Sequence, residues 1–305
     1  MRHFTSALVF VSGGPTDPAI QYASRIAVAH RTRITVADVL EKAPAYLRPL
    51  LPREWNVPKL LRAQKTATLE RTAARMRRLG IEPQVRLLEG SPAQALVREV
   101  KRAEHDLLAI AASSSGIIQS GATTAARLVR ECPCPILLAR PSRRRRRRVL
   151  VAIDTGPWSR WNATLNALLL ETAITFAEIE AGDLHVLHAW ELYDERYLRR
   201  EGLKQAELAQ FTSKAREEAR ENLQRTIAPY RRHLPAKHVH LERGAPRKVI
   251  PAFAVKHGIE LLVVGTAARS GLARHLIGNT AEVLLSGMPC SMLVVRAEQG
   301  AGPGR

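Results

Sequence analysis

Asp106-Leu107-Leu108-Ala109-Ile110 and Glu260-Leu261-Leu262-Val263-Val264 carry one pattern, an acidic residue followed by four apolar ones, repeated at a spacing of 154 residues. Three more pairs extend the match outward in the same order. Leu8-Val9-Phe10-Val11-Ser12 corresponds to Leu150-Val151-Ala152-Ile153-Asp154, and Glu89-Gly90-Ser91-Pro92 to Arg243-Gly244-Ala245-Pro246. Pro133-Cys134-Pro135-Ile136-Leu137-Leu138 corresponds to Pro289-Cys290-Ser291-Met292-Leu293-Val294. Matches kept in order over most of a chain are the signature of an internal duplication. Two copies of one domain follow, over 1–140 and 149–296, with 141–148 as an Arg-rich linker and 297–305 as a flexible tail. The length of 305 residues suits two domains of ordinary size.

Each copy alternates short apolar runs with longer helical stretches. Runs without polar alternation predict strands buried on both faces, as parallel sheets require. In the second copy these are Val149–Ile153, Leu184–Trp190, His238–Leu241, Leu261–Val264 and Met292–Val295. Helices are expected between them at Asn162–Glu180, Gln205–Arg231, Arg247–Lys256 and Thr280–Leu285. The first copy repeats the series with strands at Leu8–Val11, Ile34–Val39, Gln84–Leu88, Leu107–Ile110 and Ile136–Ala139. Its helices fall at Ala19–His30, Lys59–Leu79, Ala93–Ala103 and Thr123–Arg130. Pro92 and Pro246 sit where a helix's first turn tolerates proline. Five strands and four helices joined by right-handed crossovers give a doubly wound α/β sheet in each copy.

Composition narrows the function classes. Hydrophobic residues make up 46% and charged residues 25%, so the chain is a globular protein rather than a disordered one. Aromatics at 5% disfavour a stacking platform for single-stranded nucleic acid. No uncharged stretch reaches the ~18 residues of a membrane span, and the first apolar run is too short for a secretion signal, so a cytoplasmic location is expected. Three cysteines cannot form a disulfide scaffold, which agrees with a reducing compartment. The net charge of +19 would attract polyanions such as nucleotides, nucleic acid or acidic lipid. Yet only 9 of the 47 basic residues are lysine, an arginine bias that genome composition also produces, so both explanations stand. The six arginines Arg143–Arg148 read either as a phosphate clamp or as a solvated connector.

Ligands of open α/β sheets bind beyond the carboxyl ends of the strands, where the strand order reverses. In the second copy the first strand ends in Asp154, followed by Thr155-Gly156-Pro157. A carboxylate there can accept from a ribose or amino group, or hold a metal ion near phosphates. The fourth strand ends in Gly265-Thr266-Ala267-Ala268, and Gly278-Asn279-Thr280 opens the next helix. Backbone amides at such a helix start can cradle an anion, with Asn279 and Thr280 as extra donors and Arg269 and Arg274 as counter-charges. The same residues also make an ordinary N-cap, and spacing alone leaves both readings open.

These residues resemble the universal stress protein family. Gly265…Gly278-Asn279-Thr280-Ala281-Glu282…Met288-Pro289-Cys290, closing in a Leu-Val-Val strand, carries the likeness most strongly, in a tandem arrangement. The resemblance implies two tandem Usp domains, each a five-stranded parallel sheet of order 3-2-1-4-5, with the fifth strands pairing between domains as an intrachain pseudo-dimer. It also implies a nucleotide loop of the form Gly-x2-Gly-x9-Gly-Ser/Thr that binds ATP or ADP, with Mg as a companion ion. Gly265 and Gly278 match its outer glycines, Asp154 the aspartate of the first strand, and Gly244 the glycine after the third. Ala268 replaces the middle glycine and Asn279 the Ser or Thr, which weakens the cradle, although an amide still donates. The cofactor-binding set expected is therefore Asp154, Thr155, Gly244, Gly265, Thr266, Gly278, Asn279 and Thr280. In the first copy Ser12, Ala111 and Ala122-Thr123-Thr124 stand at the matching positions, in a loop two residues shorter. One nucleotide per chain, at most, is expected.

The remaining signals are weaker. Cys132-Pro133-Cys134 and Cys290 lack the spacing of a zinc site and read as small buried hydrophobes. His233, His238 and His240 read as surface histidines rather than metal ligands. Tyr46, Leu47, Leu50, Leu51 and Trp55, in the Pro-rich stretch Glu41–Pro58, would line an apolar pocket or cap the core. No positioned nucleophile or base is visible, so hydrolysis beyond a slow, incidental rate is not expected. The expectation is a stress-response regulator or adaptor gated by a nucleotide and read by a protein partner. A nucleotide-free scaffold or a binder of acidic lipid or an apolar ligand through the basic surface, and a nucleic-acid-associated basic protein, are the alternatives, and a homodimer is compatible with each.

Overall fold

The computed structural model describes residues 2–11, 17–41, 56–112, 121–142, 147–156, 159–192, 200, 204–266 and 279–296. The first half runs β1 (Ser6–Phe10), α1 (Pro18–His30), β2 (Arg33–Leu40), α2 (Val57–Arg77), β3 (Gln84–Glu89), α3 (Pro92–Arg102), β4 (Leu107–Ala111), α4 (Gly121–Glu131) and β5 (Ile136–Ala139). The second half runs β6 (Arg148–Ala152), α5 (Ser159–Ile179), β7 (Asp183–Trp190), α6 (Gln205–Ile227), β8 (Val239–Arg243), α7 (Pro246–His257), β9 (Leu261–Thr266), α8 (Asn279–Gly287) and β10 (Ser291–Arg296). The chain divides into two compact units. One carries β1–β5 and, from the far end of the chain, β10; the other carries β6–β9 and α8.

In the first unit the strands lie in the order β3-β2-β1-β4-β5, all parallel, as the sequence predicts. Against β5 lies β10, antiparallel, with Met292 opposite Leu138, Leu293 opposite Leu137 and Val294 opposite Ile136. The backbone amide of Arg140 donates to Ser291 Oγ at 3.0 Å, and Arg296 Nη1 donates to Arg130 O at 2.6 Å, so both ends of β10 are tied down. The second unit orders its strands β8-β7-β6-β9, again parallel.

Local chemistry explains the element ends. Asp17 caps α1, its Oδ1 accepting from Ala19 N at 2.8 Å, and Pro18 fills the first turn. Gly258, at φ 60°, ends α7 in a left-handed cap. Gly90 and Gly244 hold φ of 116° and 132°, which only glycine reaches cheaply, and each turns the chain from an outer strand into a helix. Their amides donate to the neighbouring strand ends, Gly90 to Leu40 O at 3.1 Å and Gly244 to Trp190 O at 2.8 Å. The duplication thus preserves a backbone conformation, not only a sequence pattern.

The structure corrects four details. β3 and β8 are not buried on both faces: Gln84, Arg86, Glu89, Glu242 and Arg243 are exposed, because each strand has a neighbour on one side only. The helix expected over Gln205–Arg231 stops at Ile227 and tightens into a 3-10 turn at Ala228–His233, where Pro229 removes a backbone donor. The last two arginines of the basic run belong to the fold rather than to a solvated connector. Arg147 pairs with Glu180 at 2.7 Å, and Arg148 opens β6 with Nη1 donating to His257 O at 2.6 Å. Finally, Asn56 caps α2 by accepting from Lys59 N at 3.1 Å, so the helix starts two residues early. Tyr46, Leu47, Leu50, Leu51, Trp55 and Arg143–Arg146 lie outside the described residues.

Candidate functional site

The strand order β8-β7-β6-β9 reverses between β6 and β9, because β7 and β8 follow β6 on one side and β9 returns on the other. The register sets Ala152 beside Val264. Continuing each strand therefore brings Ile153-Asp154-Thr155 alongside Gly265-Thr266, at the crevice where open α/β sheets bind ligands. Four of the expected residues converge there: Asp154, Thr155, Gly265 and Thr266.

Asp154 is exposed, and its backbone and side chain are both held. Its Oδ1 accepts from Gly156 N at 3.0 Å, closing an Asx turn, while its carbonyl accepts from Asn166 Nδ2 at 2.7 Å. Asn166 is buried on α5. Below it, Ile153 N continues the ladder to Leu187 O at 3.1 Å, and His188 Nδ1 donates to Ile153 O at 3.1 Å. Burial holds the His188 imidazole below its ordinary range, against the smaller opposing pulls of that backbone hydrogen bond and of Asp154. The neutral ring, protonated on Nδ1, thus supports the strand end. Asn166 and His188 were not among the expected residues. The visible signal for His188 is a polar side chain inside the mostly apolar run Leu184–Trp190, which also holds His185.

Thr155 is 5% exposed, and its Oγ1 has no hydrogen-bond partner among the described residues. A buried hydroxyl without a partner costs roughly 1–3 kcal/mol.

Gly265 is a glycine for packing reasons. A Cβ there would stand 2.8 Å from Leu165 Cδ2 on α5, so the missing side chain lets that helix lie against the strand end. In the first copy Ala111 ends β4 and is buried, and Ala112 N donates to Ala139 O at 2.7 Å. Gly244 stands further out, at the end of β8, with β7 between it and Asp154. Its positive φ serves the turn into α7. Asn279 opens α8 and Thr280 is half-buried in its first turn. Gly278, Ala268, Arg269, Arg274 and Ser12 lie outside the described residues.

A second cluster lies at the opposite ends of β7 and β8, where the sequence showed only His238 and His240. The structure adds His185 from β7 and His257 from α7. His185 Nδ1 is 3.1 Å from His240 Nε2, and the His185 ring lies 4.2 Å from that of His238. His240 packs on Phe253 and His257, with centroids at 4.7 and 5.5 Å. His185 is buried rather than superficial, whereas His233 points elsewhere, 3.8 Å from Glu178. Burial first, then the mutual repulsion of the rings, pushes His185 and His240 down to about 4. Among the described residues no three His, Cys, Asp or Glu side chains converge as a metal site.

A parallel 3-2-1-4-5 sheet in the first half and the same order of the first four strands in the second describe one doubly wound α/β fold duplicated in one chain. The model of the universal stress protein family matches residues 4–140 and 145–296. The chain belongs to that family, with two Usp domains in tandem.

Among curated relatives, universal stress protein E of Photorhabdus laumondii is 23% identical over 98% of this chain and 96% of its own length. Universal stress protein E of Escherichia coli K12 is 23% identical over 79% of this chain and 77% of its own. The universal stress protein E homolog of Haemophilus influenzae is 28% identical, but the match spans only about half of each chain, 55% and 54%. These likenesses place the protein with tandem Usp proteins of the E type. A putative universal stress protein from Pseudomonas aeruginosa shares the fold, with a TM-score of 0.72 at 22% identity over 96% of this chain and 93% of that one. No helix among the described residues is long and apolar enough to cross a membrane.

Proposed function

We propose that the second Usp domain binds one adenine nucleotide, ATP or ADP, and that its occupancy is read by a protein partner in a stress response. The observation that carries the proposal is the pairing of an exposed, turn-locked Asp154 carboxylate with the buried, unpartnered Thr155 hydroxyl, at the point where strand order reverses. Asp154 suits the donors of a ribose or an adenine amino group, or a metal ion travelling with the phosphates. Thr155 Oγ1 suits a donor role toward an anionic oxygen. Gly265 and Thr266 line the same edge, and Thr280 stands in the first turn of α8, whose amide dipoles favour negative charge. Gly278 and Asn279 complete the loop through their position in the sequence. The first domain lacks the carboxylate and the glycines, so it contributes no second site. Ser6 Oγ meets His105 Nδ1 at 2.8 Å in the first domain, but both residues are buried at the opposite end of the strands from the ligand crevice, and turnover beyond slow hydrolysis is not part of the proposal.

Two substitutions test the pairing together. Asp154→Ala should weaken ATP and ADP binding by about 10- to 100-fold, the worth of a charge-assisted hydrogen bond. Thr155→Val should also weaken binding, yet leave the ligand-free chain as stable as before or more so, because it removes an unsatisfied buried donor. Calorimetry with each nucleotide and thermal denaturation without it measure the two arms. If both variants bind as well as the parent, the crevice is not the site. Should the parent itself ignore nucleotides, the charge of +19 makes a polyanion partner the better reading, recognised by binding that falls steeply with salt.

A further inference from the structure

Cys132 and Cys134, both buried, flank the exposed Pro133 between α4 and β5. In an extended strand, side chains two residues apart stand about 6–7 Å from each other. Here the chain bends, and the two sulfurs meet at 3.5 Å in a thiol–thiol hydrogen bond. Cys132 is 1% exposed and Cys134 8%.

The two thiols are not equivalent. The hydrogen bond from Cys134, and then the positive charges of Lys101 on α3 and Arg296 on β10, hold Cys132 below the ordinary thiol range against the cost of burial. Cys134 is pushed upward by its neighbour and by burial. The other copy provides an internal contrast, since Met288 and Cys290 occupy the corresponding positions, both buried. There a thioether side chain fills the space of Cys132, so packing alone does not call for a second thiol.

We propose that Cys132 and Cys134 form a reversible dithiol–disulfide couple that hydrogen peroxide oxidises. The Cys132 thiolate attacks the peroxide oxygen, forming an S–O bond as the O–O bond breaks, and one water leaves after protonation. Cys134 sulfur then displaces the hydroxyl from the resulting sulfenic acid, closing the S–S bond and releasing the second water. Two thiols lose two electrons and two protons, and one hydrogen peroxide is reduced; a dithiol reductant reverses the change. The couple sits where it can be felt. α4 ends immediately before it, and the carbonyl of Arg130 in its last turn holds Arg296 of β10. β5 begins two residues after it, carrying the pairing to both β4 and β10.

The test uses the full chain, reduced, freed of reductant and exposed to hydrogen peroxide. The expected result is loss of two of the three thiols, with the tryptic peptide spanning Cys132 and Cys134 two mass units lighter and restored by dithiothreitol. Cys290 should stay a free thiol. Cys134→Ser should instead stop at a sulfenic acid on Cys132, which dimedone traps. Retention of all three thiols, oxidation of the pair only to sulfinic or sulfonic acids, or preferential reaction of Cys290 would each overturn the proposal. The measurement on the parent chain stands even if the serine variant does not fold.

Discussion

Lowering the pH from 7 to 4.5 should drop the thermal midpoint of the β6–β9 unit by roughly 5–10 °C, with the change starting near pH 6.5. The cause is the His185–His240 pair, whose folded-state values lie near 4. An unfolded histidine binds its proton at about 6.5, so between 6.5 and 4 the unfolded chain takes up protons that the folded chain refuses. Stability is therefore full above 6.5, falls as pH drops through that window, and levels off below 4. One such group is worth about 2.5 kcal/mol at pH 4.5, and about 1 kcal/mol moves the midpoint by roughly 2–4 °C in a unit of this size. The pair is counted once because protonating one ring raises the cost of protonating the other.

The surrounding charges do not cancel the effect. At His185, Arg148 from β6 adds repulsion and Asp183 on β7 opposes it, while at the neighbouring His257 Lys256 and Arg148 add repulsion and Glu242 opposes it. His105, His188 and His257 are displaced in the same direction by burial. Replacing both His185 and His240 by Phe, which keeps aromatic rings beside His238 and Phe253, should flatten the profile between pH 6.5 and 4.5. A parent midpoint that does not move over that range, or an unchanged slope in the variant, would contradict the reading.

Removing β10 should cost the first unit its stability, although β10 is encoded at the other end of the chain. Met292, Leu293, Val294 and Val295 are all buried. Burying a side chain of this kind contributes roughly 1.5–3 kcal/mol, so the four together match the whole stability of an ordinary domain. A chain ending at residue 290 should leave Ile136, Leu137 and Leu138 on an open edge and aggregate. The milder test is Leu293→Ala, which should cost about 2–5 kcal/mol. Hydrogen exchange then shows where the loss falls: the amides of β5, paired through Leu137 opposite Leu293, should exchange faster. Unchanged protection in β5 would mean that β10 does not hold the first unit's edge.

Most of the architecture was legible because the duplication is preserved at the positions that physics constrains. The buried strands β1, β4, β6 and β9 carry unbroken apolar runs of four or more residues, and Gly90 and Gly244 mark the same turn twice. β3 and β8 misled because an edge strand faces solvent along one side, and a short window such as Gln84–Leu88 does not announce its place in the sheet. The candidate site was half legible. Asp154, Thr155, Gly265 and Thr266 come together because strand order brings the first and fourth strands side by side. The buried state of the Thr155 hydroxyl, the Asn166 strut and the His188 support depend on packing across α5 and β7. The histidine cluster was hidden for a related reason: His185 is far from His240 in sequence, and the β7–β8 register makes them neighbours.

The central claim is a single nucleotide site in the second of two Usp domains, and titration calorimetry of ATP and ADP into the full chain addresses it most directly. The account predicts one nucleotide per chain, with binding weakened by Asp154→Ala and untouched by substitution of Ala111 in the first copy. Two equivalent sites, or no binding to a chain that is folded and free of prior ligand, would contradict it.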